Sequence, residues 1–385
     1  MKHLLALLVI IAVVAGIILV IVRSKPYAPS TTATSTAATS TPVATQQSAI
    51  DDAIAHMTLR QKVAGLLILH TPGTSGAALR QYVEKYQPAG LILMEDNIPA
   101  TRAELAGETA AIQASTIIPY FIATDEEGCT VKRLASDTFL CAPELKDAPV
   151  ASTSAAFVAR SALLKSVGIN LNFGIVADIT ADPDSFIYPR VFGSDPQAVG
   201  ARIAAAVDAS TGATLSTLKH FPGHGETPAN SHLEVPVATI TQAEWAQKDK
   251  IPFQAGIDAG ADLVMFGQLS YSSVDQNPAT LSSTWHQILS DMGFRGLSIT
   301  DDMIMLQQSG DAAYQDPMKN AIASLNAGSD LLLYVNDHGS TISGVDIDAL
   351  IDGLVAAVES GQLPESSVDQ KLEKILTYRE KVAQF

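Results

Sequence analysis

The chain has 385 residues, with 24 Lys and Arg against 40 Asp and Glu, so its formal net charge is −16 at pH 7. Basic residues occur singly or in short pairs, which argues against a nucleic-acid partner. After its first ~50 residues the chain is long enough for one α/β barrel, a fold that takes about 250 residues or more with insertions.

The first element is an apolar run from Leu4 to Val22 that contains no charged residue. At 1.5 Å per residue a helix of this length spans about 29 Å, close to the ~30 Å hydrocarbon core of a bilayer. The apolar core of a cleavable signal peptide is shorter, roughly 7–15 residues. Residues 1–25 are therefore predicted to be an uncleaved transmembrane signal anchor, with removal of the segment as the alternative.

Residues 26–47 are rich in Ser, Thr, Ala and Pro and carry no charge. Such a composition buries no core and is typical of a disordered spacer. Because spacers of this kind hold a domain away from a surface, we expect a single-pass protein of the cell membrane. The rest of the chain is then extracytoplasmic.

Residues 48–385 are predicted to form one domain, beginning with a helix at Ser48, where Asp51 completes a capping-box-like start. Apolar runs predict eight strands, at Val63–His70, Gly90–Met94, Tyr120–Asp125, Asn170–Phe173, Ser216–His220, Asp262–Phe266, Leu297–Asp301 and Asp330–Val335. The predicted helices include Ala77–Tyr86, Arg102–Ala114, Ala151–Val167, Pro196–Thr211, Gln242–Asp258 and Ser366–Gln384. This alternation favours an α/β fold, a (β/α)8 TIM barrel. A doubly wound open sheet is less favoured because no Gly-rich phosphate loop follows the first strand.

The only two cysteines, Cys129 and Cys141, lie close together in the sequence and fit no metal-binding spacing. Outside the cytoplasm they are expected to form a disulfide, which contributes about 3 kcal/mol in the chain-entropy model. Two unpaired thiols are the alternative.

Ionisable residues collect where four of the predicted strands end. They are Asp125, Glu126 and Glu127 after the third strand, Asp178, Asp182 and Arg190 after the fourth, Lys219, His220 and His224 at the fifth, and Asp301 and Asp302 at the seventh. In a barrel of this type the carboxyl ends of the strands carry the chemistry, so these side chains predict a polar site there. Coincidental structural ion pairs are the less favoured interpretation.

Neither a metal nor a cofactor is expected at this site. His220 and His224 are four residues apart, but Pro222 and two glycines break any helix that would place both on a zinc ion. Carboxylates with Lys, Arg and His suit a polar substrate such as a sugar. Glycoside hydrolysis needs an anionic group at the oxocarbenium centre and an acid for the leaving oxygen. Asp301, at a strand end, is a candidate nucleophile.

At these residues the sequence resembles glycoside hydrolase family 3, and within it the β-N-acetylhexosaminidase branch. The segment Lys219-His220-Phe221-Pro222-Gly223-His224-Gly225, followed by Ser231-His232 and Pro236, is similar to the signature loop of that branch. Further similar segments follow in the family's order at residues 57–63, 125–128, 192–193, 278–282 and 300–303. The resemblance covers residue 50 to the end of the chain.

The resemblance implies a role for each matching residue. Asp301 matches the nucleophile that forms a covalent glycosyl-enzyme, and His232 matches the acid/base on the loop after the fifth strand. Residues that match the sugar-binding positions are Asp125, Arg133, Arg190, Lys219 and His220. Asp302 is interpreted as a supporting or helix N-terminal carboxylate.

The chain departs from the family pattern at Asn230, where the branch has an Asp that orients the acid/base histidine. An amide supplies no negative charge to stabilise imidazolium. Three outcomes stay open: Glu226 or Glu234 replaces the missing carboxylate or acts as the acid, the enzyme is slow, or the protein binds glycans without turnover. A second departure is Cys129, which replaces a Gly of the strand-three motif and indicates a reshaped loop.

The resulting prediction is a retaining exo-β-N-acetylhexosaminidase. It releases terminal β-linked N-acetylglucosamine from peptidoglycan-derived sugars as a monomer. A glycan-binding pseudoenzyme is the alternative, and a phosphorylase, which requires a phosphate site that the acidic balance does not favour, is a third hypothesis.

Overall fold

The structure is a computed structural model that describes residues 43–114, 116–336 and 344–385. The predicted signal anchor, residues 1–25, and the spacer up to residue 42 lie outside the described residues. Across the described ranges, every helix is too short or too polar to cross a membrane. Residues Gln47–Phe385 form one compact unit.

Ten strands occur among the described residues, eight of them in one parallel sheet. They are β1 (Leu67–Leu69), β2 (Gly90–Ile92), β3 (Phe121–Thr124), β4 (Leu171–Val176), β5 (Leu215–Phe221), β6 (Val237–Ala238), β7 (Leu263–Phe266), β8 (Ser270–Tyr271), β9 (Leu297–Thr300) and β10 (Leu332–Tyr334). The large sheet has the order β10-β1-β2-β3-β4-β5-β7-β9. A parallel bridge between Ile299 and Leu331 joins its two edges, so the sheet is a nearly closed eight-stranded barrel. β6 and β8 form a separate two-stranded sheet beside it.

Helices alternate with these strands and cover the barrel. They are α1 (Val43–His56), α2 (Leu59–Ala64), α3 (Gly76–Tyr86), α4 (Arg102–Gln113), α5 (Ala142–Leu145), α6 (Val150–Ser166), α7 (Pro196–Ser210), α8 (Gln242–Gln247), α9 (Lys250–Asp258), α10 (Ser283–Asp291), α11 (Ile304–Gln308), α12 (Pro317–Ala327), α13 (Ile347–Glu359) and α14 (Glu365–Val382). Because helices cover the outside of the sheet, its strands are buried along their whole length, as the near-continuous apolar runs predict. The (β/α)8 interpretation is confirmed in its main features.

An aromatic cluster supports the strand that carries the site's Lys219. The Phe221 ring, at the end of β5, makes edge contacts with Trp245, Phe253, Phe266 and Trp285 at centroid distances of 5.2–6.1 Å. Trp245 Nε1 also donates a hydrogen bond of 2.8 Å to the Pro222 carbonyl oxygen. This packing fixes the start of the loop after β5.

The predicted starts of α1 and β1 are wrong. α1 begins at Val43 and not at Ser48, and residues 43–47 contain no Gly or Pro that would stop a helix from extending backwards. β1 begins at Leu67, because Val63 and Ala64 belong to α2. That helix starts at a capping box in which the Gln61 side chain accepts from Thr58 N at 2.7 Å.

The predicted helix Gln242–Asp258 is two helices, α8 and α9. Lys248 leaves helical geometry, with φ −131° and ψ −88°. Pro252 lies in the first turn of α9, where a missing N–H costs nothing, whereas in one long helix it would break a hydrogen bond. The predicted disulfide is confirmed: Cys129 and Cys141 are bonded, with their Cα atoms 5.6 Å apart.

Candidate active site

A cavity of about 520 Å³ lies at the carboxyl ends of the barrel strands. Its lining includes seven of the predicted site residues: Asp125, Arg133, Arg190, Lys219, His220, His232 and Asp301. These residues come from the loops after β3, β4 and β9 and from β5 and its loop, so the fold brings distant parts of the sequence to one place. Apolar side chains, among them Met94, Met265 and Leu333, complete the lining.

Lys219 lies at the centre of a buried ion-pair network. Its Nζ is 2.8 Å from Asp125 Oδ1 and 2.7 Å from Glu127 Oε1, and the lysine side chain is only 3% exposed. Burial alone would raise the pKa of Asp125, but the charges of Lys219 and Arg133 outweigh it and hold that pKa at about 2. Burial alone would lower the pKa of Lys219, yet Asp125 and Glu127 raise it. The network is therefore fully ionised at neutral pH.

Arg190 extends this network across the cavity. Its guanidinium binds Glu127 through two hydrogen bonds of 2.9 and 2.7 Å. The same guanidinium lies 3.2 Å from His220 Nε2. Burial opposes ionisation of Glu127, but Arg190 and Lys219 lower its pKa. Two-point binding of a planar guanidinium fixes the orientation of Arg190 before any ligand arrives.

Asp178 holds His220 from the opposite side. Its Oδ2 lies 2.7 Å from His220 Nδ1, and its carboxylate accepts from the His220 backbone N at 3.2 Å. Burial and the charge of Arg190 hold the pKa of His220 well below its usual value. A neutral ring that donates from Nδ1 to Asp178 and accepts at Nε2 from Arg190 satisfies both contacts. His220 therefore presents a fixed tautomer.

Asp301 follows the last residue of β9 and reaches the cavity from the barrel rim. Its backbone N donates to the Phe266 carbonyl at 2.8 Å, and its Oδ1 accepts from Asp302 N at 2.8 Å. Asp302 Oδ1 accepts from the backbone N of Ile304 and of Val335, each at 3.1 Å. The position of Asp302 near a helix start is confirmed. Burial, with the charge of Asp301, raises the pKa of Asp302 to about 7.

His232 also lines the cavity and lies on the segment that follows β5. Its side chain is exposed, and its ring meets the ring of Phe186 edge-on at 5.7 Å. Asn230 Oδ1 accepts from the backbone N of His232 at 2.9 Å. The amide at 230 therefore caps a local turn.

Glu226 lies outside the cavity lining. It forms an ion pair with Lys248. Asp249 lies next to it, and burial, with the charge of Glu226, raises the pKa of Asp249 to about 8. The structure therefore does not bring Glu226 to the cavity, where an alternative acid would have to be.

The loop after β3 forms one wall of the cavity and is tied down at several points. Glu126 Oε2 accepts from the backbone N of Arg133 at 2.9 Å and of Leu134 at 3.0 Å. The Arg133 side chain pairs with Glu95 and lies 3.4 Å from Asp125. The Cys129–Cys141 disulfide closes the same loop.

Among the described residues, one group of possible metal ligands has its ligand atoms close together: Cys129, Cys141 and Glu144. Both sulfurs are already used in the disulfide and are not available as thiolates. No cofactor role follows from this group.

Glu127 and Asp178 were predicted to lie among the ionisable residues at the strand ends but were given no role, and Phe186 was not predicted to belong to the site. An available signal for Glu127 was the alternation of an extended chain, which puts Asp125 and Glu127 on one side and Glu126 on the other. Asp178 was noted only as a loop carboxylate. Phe186 carried no local signal, because its role depends on contact with His232, which follows much later in the chain.

Comparison with known proteins places the chain among sugar-cleaving enzymes. The family described as "Glycosyl hydrolase family 3 N terminal domain" matches residues 58–378. A "Beta-hexosaminidase" of Xanthomonas oryzae pv. oryzae is 34% identical over 284 residues, covering 70% of this chain and 83% of that protein. A "Beta-hexosaminidase" of Xylella fastidiosa is 30% identical over 329 residues, covering 77% of this chain and 96% of that protein.

A solved structure shows the same similarity. The glycoside hydrolase family 3 beta-N-acetylglucosaminidase from Paenibacillus sp. str. FPU-7 superimposes with a TM-score of 0.76 at 28% identity, covering 85% of this chain and 63% of that one.

Proposed function

The chain belongs to glycosyl hydrolase family 3 and is a glycoside hydrolase, and we propose that it is a retaining exo-β-N-acetylhexosaminidase acting on terminal β-linked N-acetylglucosamine. The observation that carries this proposal is the position of Asp301 in one cavity with the ionised Lys219, Arg190 and Asp125. The relatives named beta-hexosaminidase support a hexosaminidase, and the similar structure of a beta-N-acetylglucosaminidase supports the choice of sugar.

In the proposed reaction Asp301 is the nucleophile. Its carboxylate attacks the anomeric carbon, a glycosyl ester forms, and the bond to the leaving oxygen breaks while His232 gives that oxygen a proton. His232 then takes a proton from a water molecule, whose oxygen displaces Asp301 from the anomeric carbon. Two inversions at one carbon give overall retention of configuration.

The surrounding charges suit this assignment. Lys219, Arg190, Arg133 and Asp125 offer donors and acceptors to sugar hydroxyl groups. Ion pairs fix them before binding: Asp125 pairs with Lys219 and Arg133, and Arg190 pairs with Glu127. His220, neutral and held by Asp178, adds a ring of fixed tautomer.

We further propose that the substrate derives from peptidoglycan and that the enzyme acts as a monomer. In this proposal the enzyme is anchored in the cell membrane by residues 1–25, with its catalytic domain outside the cytoplasm. The apolar run Leu4–Val22 and the uncharged spacer after it support the location. The disulfide is compatible with an oxidising compartment.

The test uses the full chain in mild detergent and an aryl β-N-acetylglucosaminide with an activated leaving group. Asp301→Asn should lower kcat/KM by at least about 10³-fold, because the covalent step is lost. The matched control is Asp182→Asn, an exposed carboxylate outside the cavity, which should leave turnover unchanged. The configuration of the first-formed product, followed by NMR, reports retention.

Activity that survives Asp301→Asn would refute the assignment of the nucleophile. N-acetylglucosamine that binds to the wild type without turnover would instead favour the glycan-binding alternative, which Asn230 motivates. His232→Ala should impair a natural disaccharide far more than the activated substrate, because only the disaccharide needs a strong acid at its leaving oxygen.

A further inference from the structure

We propose that Ser231, through its hydrogen bond to His224, and Phe186, through ring contact, are positioning residues that hold the His232 imidazole in place of the carboxylate absent at position 230. This inference rests on the proposed function. It explains how His232 is oriented when the residue two positions earlier is an amide.

Asn230 itself is committed to the backbone. Its Oδ1 accepts from His232 N at 2.9 Å, a bond between residues two apart that closes a local turn. The turn sets the direction in which the His232 side chain leaves the main chain, and within the described residues Asn230 makes no hydrogen bond to the imidazole. Other contacts must therefore restrict the ring.

The residue directly before His232 is anchored to the protein interior. Ser231 is 3% exposed, and its Oγ lies 2.9 Å from His224 Nε2. His224 is 1% exposed, and its backbone N donates to Asp178 Oδ1 at 2.7 Å. Burial lowers the pKa of His224, so its ring is a neutral hydrogen-bonding partner. A continuous set of bonds thus joins the buried Asp178 to the residue adjoining His232.

Phe186 contacts the two imidazoles of this segment. Its ring centroid is 5.7 Å from that of His232, at 73°, and 5.8 Å from that of His224. Its backbone N donates to the Pro228 carbonyl at 3.3 Å, which joins the loop after β4 to the loop after β5. The edge-on geometry of the Phe186–His232 pair is one of the two arrangements that aromatic rings prefer. Phe186 therefore restricts the ring of His232 directly, while Ser231 restricts its main chain.

Orientation of an acid affects only the step that needs its proton. A misplacement of about 1 Å costs a catalytic group roughly 10²-fold. Ser231→Ala should therefore lower kcat/KM for a β-linked N-acetylglucosamine disaccharide about 10- to 100-fold and lower that for the activated aryl glycoside less than about 3-fold. Phe186→Leu should also lower kcat/KM for the disaccharide more than for the activated aryl glycoside, but by a smaller factor than Ser231→Ala.

The matched control is Ser185→Ala. Ser185 is 4% exposed, and its hydroxyl donates to the Thr227 carbonyl oxygen at 3.5 Å. The substitution therefore removes a buried hydroxyl from the contact between the same two loops and leaves the hydrogen bonds of His224 and His232 in place. Ser185→Ala should not alter the ratio of kcat/KM for the disaccharide to kcat/KM for the activated aryl glycoside. His224→Gln, which keeps a polar group facing Ser231, should retain more disaccharide turnover than His224→Ala. Thermal unfolding of each variant checks that the domain is folded.

The decisive measurement repeats Ser231→Ala in a His232→Ala background, where it should have no further effect on the disaccharide. Equal losses for both substrates, or a loss that persists in that background, would overturn the inference and leave Ser231 with a structural role. If His232→Ala itself fails to separate the two substrates, the acid assignment in the proposed function fails instead.

Discussion

The two sides of the cavity are built on different physical principles. On the ion-paired side, Asp125, Glu127, Arg190 and Lys219 are linked by ion pairs and hydrogen bonds of 2.7–2.9 Å, and their side chains are 3–17% exposed. On the imidazole side, formed by His224, Asn230, Ser231 and His232, no ion pair joins the four residues to one another. They are held by hydrogen bonds and ring-edge contacts, and His232 is exposed.

The difference separates two ways of fixing a functional group. Buried charges interact strongly in a low-dielectric surrounding, so removal of one partner leaves another charge uncompensated. Neutral contacts on the imidazole side are individually weaker. When one of them is removed, the imidazole loses its fixed orientation but no charge is left uncompensated. Substitutions on the first side should therefore damage folding and binding together, whereas substitutions on the second should adjust one chemical step.

The largest expected effect belongs to Lys219→Met, which breaks the centre of the ion-paired side. It leaves Asp125 and Glu127 with one cationic partner each, so the free energy of unfolding should fall by about 3–5 kcal/mol. Turnover should fall more than about 10²-fold. Denaturant unfolding and kcat/KM on the aryl glycoside measure the two effects.

Lys85→Met is the matched control for this substitution. Lys85 also forms an ion pair, 2.7 Å from Asp348, but its side chain is 57% exposed. Its removal should change neither stability nor turnover, because exposed pairs are screened by water. Equal effects of the two substitutions would show that burial does not distinguish the ion-paired side.

The second prediction concerns Glu108, a buried carboxyl group that, unlike Asp125, has no ion pair or hydrogen bond among the described residues to offset its burial. Glu108 on α4 is 4% exposed, and neither of its carboxyl oxygens has a hydrogen-bond partner in the described part of the chain. Burial raises its pKa from 4.5 to about 7. Between about pH 4.5 and 7 the unfolded chain releases this proton and the folded chain keeps it, so stability falls as pH rises.

Glu108→Gln removes that titration. The variant should match the wild type at pH 4 and be more stable at pH 8, by up to about 3 kcal/mol. Unfolding measured across this pH range checks the sign, and Glu359→Gln, at an exposed position of α13, should show no such dependence. A variant less stable than the wild type at pH 8 would mean that Glu108 has a partner when ionised.

The smallest expected effect comes from Asn230→Asp, which adds a charge to the imidazole side. An Asp oxygen can accept the His232 backbone N–H as the amide does, and a carboxylate near the imidazole stabilises its protonated form. Turnover of the disaccharide should rise about 10-fold and extend to higher pH, with little change for the aryl glycoside.

Asn326→Asp, at an exposed position on α12, controls for the added negative charge. An unchanged disaccharide rate in Asn230→Asp would show that neutral contacts already orient His232 fully. A loss of activity would show that a charge at position 230 disturbs the turn.

The sequence alone was enough to predict the eight barrel strands and to predict that the candidate site residues lie at their carboxyl ends. Near-continuous apolar runs report burial on both faces, and a charged residue directly after such a run marks the end of a strand. This local pattern located Asp125, Lys219 and Asp301, and the signature loop around His220 and His232 indicated the family. The pattern predicted the wrong element where one apolar segment suits helix and strand equally, as at Val63, which lies in α2.

Only the tertiary structure decided which residues are partners. Lys219 and Asp125 are 94 residues apart, Arg190 and Glu127 are 63 apart, and Phe186 meets His232 across two loops. Asn230 bonds a backbone N–H, and Glu226 pairs with Lys248 outside the cavity. Local sequence encodes burial and chain direction. Partner choice depends on strand register and on how neighbouring loops pack, which no local pattern contains.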